Sequence, residues 1–173
     1  ALPIWCNDEV FDSIRPYADI YIRLRANSGA YCARNIGAAF GKANILLFVE
    51  DDGVPEEGFI DSHLQIHEDY DVIAVRGVYQ PSAGSKAPPH YRLGDQPFAA
   101  PCTLEGNASY QAQTFYKVGG WADWIMFGHG GMELASRLLE LIPIPEKQIY
   151  HPDPVLRHDY FLSEEHLRNK HQR

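Results

Sequence analysis

Residues Asn44-Ile-Leu-Leu-Phe-Val49 form an unbroken apolar run that stops at three consecutive acids, Glu50-Asp51-Asp52. A continuous apolar run bounded by polar residues is the pattern of a strand covered on both faces of a parallel sheet. Upstream, Asp8 to Arg15 predicts a short amphipathic helix and Ala18 to Leu24 alternates as a strand does. Ala30 to Phe40 is Ala-rich and closed by Gly41, which predicts a helix. Downstream, Pro55 opens a helix with Glu56 and Glu57 in its first turn, and Asp71 to Val75 predicts the next strand. Strand, helix, strand in that order builds an α/β sheet with right-handed crossovers, whose ligands bind beyond the carboxyl ends of the strands. The three acids stand at that rim.

The rest of the chain supports a site without dictating one. Tyr79 to Pro101 carries five prolines and no sustained period, so it reads as a long loop. Trp121 to Gly131 is a second loop rich in Gly and aromatic residues, followed by a helix from about Met132 to Leu141 and a strand within Ile144 to Tyr150. The 173 residues, 45% hydrophobic and 22% charged, fit one domain spanning 1–173. A net charge of −8 leaves no basic field for a phosphate backbone, so nucleic acid is not an expected partner. Three scattered cysteines, Cys6, Cys32 and Cys102, make neither a zinc site nor a disulfide scaffold, and a cytoplasmic location is expected. No apolar run nears the ~20 residues of a bilayer span, so no integral membrane segment is expected.

Three adjacent carboxylates repel one another, and a divalent cation among them relieves that cost. Hard oxygen ligands favour Mn²⁺ or Mg²⁺, which also bind diphosphate oxygens. An isolated acidic triplet is equally compatible with a helix-capping turn.

Further residues decide between the two. Ala33-Arg34-Asn35-Ile36-Gly37, then Gly41 and the apolar strand ending in Glu50-Asp51-Asp52, resembles the A-R-N-x-G and D-x-D signature of family 2 glycosyltransferases. Val118-Gly119-Gly120-Trp121, then Phe127-Gly128-His129-Gly130-Gly131-Met132-Glu133 and Leu134 to Leu138, is similar to the acceptor-side segment of the same superfamily, as in galactosyltransferases. The resemblance covers about Asn27 to Arg137. It implies the GT-A fold, a Rossmann-like, mostly parallel sheet flanked by helices. That family begins with a strand and helix for which this chain has no counterpart, which reads as an N-terminal truncation.

The resemblance also implies roles. Glu50, at the first position of D-x-D, falls near the donor ribose, with a glutamate in place of the commoner aspartate. Asp51 joins the nucleotide-sugar site and Asp52 binds the metal. Asp8 and Arg34 are further nucleotide-sugar candidates. His158, in Leu156-Arg157-His158-Asp159, resembles the histidine that completes the metal site, with His151 as runner-up. Asn107, Trp121, Trp124 and His129 fall on the acceptor side, the tryptophans being equally compatible with a core role. Where the family carries E-D, an ungapped alignment places Met132-Glu133 and makes Glu133 the base. If the downstream E-L-x-x-R register governs, E-D falls on Gly130-Gly131 and that base is missing. His63 and His67, four apart on one helix face, read as a solvated pair.

The expected activity is transfer of a sugar from a nucleoside-diphosphate sugar, a UDP-sugar, to an acceptor hydroxyl on a glycan or glycoconjugate, metal-dependent and inverting, in polysaccharide biosynthesis. The competing expectations are a catalytically lapsed sugar-nucleotide or glycan binding domain and a metal-dependent hydrolase of nucleotide sugars.

Overall fold

The computed structural model describes residues 2–3, 12–81, 88–125 and 128–159. Strands β1 (Leu2–Pro3) and β2 (Tyr21–Ile22) pair in parallel as a small separate sheet. Helix α1 (Ala30–Ala39) leads to β3 (Ile45–Val49) and β4 (Val54–Pro55). Helix α2 (Phe59–Tyr70) leads to β5 (Ala74–Gln80) and β6 (Phe98–Ala99). Strand β7 (Asn107–Gln111), helices α3 (Ala112–Lys117) and α4 (Gly130–Leu141), and β8 (Gln148–Arg157) complete the order.

The main sheet runs β3-β7-β5-β8-β4, with β6 also on β8. Strands β3, β5 and β8 share one direction, and β7 runs against its two neighbours. The α/β architecture is as the patterning implies, but the sheet is mixed and not mostly parallel in its pairings: β4, β6 and β7 each run against their neighbours, and among the described residues only β5 and β8 pair in parallel within it. Both faces of β3 are covered. Leu46 and Phe48 enter a cluster with Tyr31, Tyr110, Phe115 and Trp121, while Leu47 and Val49 pack against Phe59, Tyr79, Tyr91 and Leu156 on the other side. Among the described residues β3 pairs on one edge only, with β7.

Several elements differ from their sequence reading. Pro55 does not open a helix: Val54 and Pro55 pair with Arg157 and Leu156, and α2 begins after Gly58 at φ 73. Proline suits this edge strand, where its missing N–H costs no ladder bond. Glu56 accordingly pairs with Arg157 at 3.0 Å and leaves Asp61 as the acid of the first turn. Strand β5 continues to Gln80, into the stretch read as a loop, and β8 starts at Gln148 and runs to Arg157. Helix α4 starts at Gly130, two residues early. Of the Asp8–Arg15 helix, residues 12–14 are helical; the remainder before Asp12 lies outside the described residues.

The largest correction concerns α2. His63 and His67 are buried, at 1% and 8% exposure, and make no solvated pair. His63 Nδ1 and His67 Nε2 both meet Ser109 Oγ at 2.9 Å, His63 Nε2 meets Asn107 Oδ1 at 2.9 Å, and His67 Nδ1 meets the Val72 carbonyl at 2.9 Å. This polar seam binds α2 to β7. Burial pushes the His63 imidazole down to about 4 and lowers that of His67 as well.

Candidate active site

Strand β3 delivers Glu50 to the sheet rim, where the Glu50 N–H donates to the Gly106 carbonyl at 3.0 Å and Gly53 N–H returns to the Glu50 carbonyl at 3.3 Å. That turn folds Asp51 and Asp52 back beside Glu50. One carboxylate oxygen from each of the three lies within 4.8 Å of the others, the one such grouping among the described residues. Unit charges at that spacing repel by about 1 kcal/mol per pair in water and about 3 kcal/mol near a protein surface, which a divalent ion would reverse. Burial raises the Glu50 carboxyl above the ordinary range, Asp52 and Glu105 add to it, and Arg34 and His158 oppose it.

Four polar contacts, two from His158 and two from Arg34, organise the surroundings, and all are long-range. His158 Nε2 meets Asp52 Oδ1 at 3.1 Å, and its Nδ1 meets Tyr91 Oη at 3.0 Å, so the end of β8 carries an imidazole to the acidic turn. Arg34, from α1, reaches Glu50 Oε2 at 3.3 Å and Glu105 Oε2 at 3.7 Å. Its guanidinium lies 5.8 and 5.5 Å from the Tyr31 and Trp121 ring centroids. A Cβ on Gly106 would collide with the Glu50 side chain, so glycine at 106 lets the two loops close. A groove of about 610 Å³ runs between α1 and the outer edge of β3, from Gly41 to Glu50 and Asp51.

The acceptor-side expectations separate. Trp124 is exposed, and His129 is exposed in a left-handed conformation (φ 62) at the start of α4. Trp121 offers no face to a sugar: it is 2% exposed, stacked on Tyr31 with centroids 5.6 Å apart. Asn107 is wholly buried, its amide donating to the Val78 and Pro154 carbonyls at 2.8 and 2.9 Å while its oxygen faces His63. Both are corrections: the segment that carries Asn107, to which the sequence assigns no element, is an internal strand, and the Gly-Gly-Trp turn folds into the core. Glu133 is held by Arg137 through both oxygens, at 2.6 and 2.5 Å, and none of its hydrogen bonds reaches the acidic turn. His151 pairs with Asp153 at 3.7 Å, away from Asp52. Asp8 lies outside the described residues.

Two groups at the site escape a reading by motif. Tyr31 donates to Glu105 Oε1 at 2.6 Å, and Gly131 N–H donates to the same oxygen at 3.1 Å. Glu105-Gly106-Asn107 resembles a family segment flanking the acceptor cleft, but that resemblance gives Glu105 no role of its own, and no local signal marks Tyr31. Burial first, and then Glu105, hold the Tyr31 phenol protonated, far above its ordinary range.

Compared by sequence, the chain matches no family model and no curated protein. Compared by structure, it is similar to a mannosyltransferase, PcManGT from Pyrobaculum calidifontis in complex with GDP-Man and Mn²⁺, at 16% identity and TM-score 0.70, over 96% of this chain and 48% of that one. It is similar to S. aureus TarS 1-349 at 12% identity and TM-score 0.69, over 90% and 49%. It is similar to GalNAc-T7 with UDP, GalNAc and Mn²⁺ at 14% identity and TM-score 0.68, over 90% and 35%. The fold is thus the GT-A glycosyltransferase fold, and the chain spans less than half the length of these structures. No helix among the described residues is long and apolar enough to cross a membrane.

Proposed function

We propose that this chain carries the donor site of a metal-dependent glycosyltransferase that moves a sugar from a UDP-sugar to a hydroxyl of a glycan or glycoconjugate, with inversion at the transferred carbon. The observation that carries the reading is the meeting of Asp52 with His158 beside Glu50 and Asp51, three acids and an imidazole gathered at the end of an apolar strand. Carboxylate oxygens with one imidazole nitrogen are a donor set that fits Mn²⁺, and Mg²⁺ through the carboxylates. Asp52 and His158 would hold the ion. Glu50, Asp51 and Arg34 would face the nucleotide sugar, and Trp124 and His129 the acceptor. When bound, the ion supplies Lewis-acid stabilisation of the negative charge on the departing diphosphate.

The fold supports this reading, as do UDP or GDP-Man and Mn²⁺ in two of the similar structures. Titration calorimetry with UDP and with GDP, each with and without Mn²⁺, tests it. Nucleotide binding that requires Mn²⁺ is expected, and Asp52→Ala should weaken it by 10-fold or more, about 1.4 kcal/mol. Binding indifferent to Mn²⁺ and to Asp52→Ala would remove the proposal.

A further inference from the structure

Transfer to a hydroxyl needs a group to take the hydroxyl proton. Two carboxylates, Glu133 and Glu105, lie near the first turn of α4, and their partners differ. Glu133 is closed off by its two-point pair with Arg137, which also grips the carbonyls of Val118 and Gly120. Protonating Glu133 would break a charge-assisted pair that ties the helix to its preceding turn.

Glu105 has the opposite arrangement. Oε1 is occupied by Tyr31 and Gly131, which fix the carboxylate in place. Among the described residues Oε2 has only the Arg34 guanidinium, at 3.7 Å, beyond hydrogen-bond distance. Through Arg34 the carboxylate is linked to Glu50 of the acidic turn. The glycine pair at the head of α4 makes this possible. A Cβ on Gly130 would collide with the Tyr31 ring and one on Gly131 with the Thr103 carbonyl. The helix can therefore project no side chain from those two positions, and the space at its N-terminus is filled by a phenol and a carboxylate from other elements.

Resting on the transfer reading above, we infer that Glu105 is the general base of this site and that its Oε2 receives the acceptor proton. The acceptor oxygen forms its bond to the anomeric carbon as its proton passes to Oε2. The bond from that carbon to the diphosphate breaks with its electron pair leaving on the diphosphate oxygen. Solvent then takes the proton from Glu105. Arg34 and Tyr31 are positioning residues for this carboxylate.

The test uses the 173-residue chain with Mn²⁺, the donors UDP-glucose, UDP-galactose, UDP-N-acetylglucosamine and GDP-mannose, and water or free sugars as acceptors, reading release of nucleoside diphosphate. Glu105→Gln keeps an oxygen for Tyr31 and Gly131 but cannot take the proton. Its turnover should fall about 100-fold or more, the range of a lost general base, with Mn²⁺-dependent UDP affinity and Tm unchanged. Formate should restore turnover to Glu105→Ala, which a purely structural role would not allow. Turnover kept in Glu105→Gln, or absent from the unaltered chain although UDP binds with Mn²⁺, overturns the assignment alone. No Mn²⁺-dependent UDP or GDP binding by the unaltered chain overturns the transfer reading and this assignment with it.

Discussion

At the scale of residues, the buried seam beneath β7 makes a proton count that can be tested. Asn107 turns its amide nitrogen to two carbonyls, so its oxygen faces His63 and requires a hydrogen on Nε2. The Val72 carbonyl requires one on His67 Nδ1. With both rings neutral, the Ser109 hydroxyl stands between two unprotonated nitrogens and can donate to only one. Three hydrogens thus serve four contacts, and the fourth is filled only when a ring takes a second proton. Burial opposes that uptake and holds His63 near 4, below the ordinary 6.5 of an unfolded chain. A depressed histidine contributes stability that is fully present above the unfolded value and lost as pH falls towards the folded one. Unfolding free energy should drop between pH 6.5 and 4, by on the order of 3 kcal/mol from His63, with His67 acting in the same direction. Urea unfolding at pH 7.5, 5.5 and 4.5 measures it, and a flat profile would mean the rings are not buried neutral.

Among elements, β7 explains why so much of the acceptor-side reading shifted. Its sequence, Asn107-Ala-Ser-Tyr-Gln111, has neither an apolar run nor a clean alternation, yet it is an internal strand with its first four residues buried. Its polar side chains satisfy the helix above it, a pairing that no periodicity in β7 can reveal. Asn107→Ala should strand His63 Nε2 and two buried carbonyls and cost about 2–4 kcal/mol, read as a lower urea midpoint with an unchanged slope. In the Gly-Gly-Trp turn the sequence leaves a sugar-facing Trp121 as open as a buried one. Trp121 lies in a ring cluster with Tyr31, Phe48, Tyr110 and Phe115. Trp121→Ala should cost about 3–5 kcal/mol through the cavity it leaves, and would loosen Arg34 over the same ring.

Over the whole molecule, the proposed binding at the rim would couple to stability, because an ion and nucleotide held by Glu50, Asp52, Arg34 and His158 would bind the folded chain alone. At about 100 times Kd that adds about 2.7 kcal/mol, or roughly 5–10 °C in Tm for a domain of this size. UDP and Mn²⁺ together should produce that shift in a thermal scan, each alone much less, and Asp52→Ala should lose it. What the amino-acid order determined by itself was local: helix and strand periods, the apolar run of β3, and the adjacency of Glu50, Asp51 and Asp52, which is covalent and survives any error in topology. What only the tertiary structure decided was long-range: the reversed strand β7, the choice of His158 over His151 as the imidazole at Asp52, and Arg34 bridging Glu50 to Glu105. Those depend on which distant segments share a face of the sheet, a choice made by the packing of the entire core and written in no single stretch of chain.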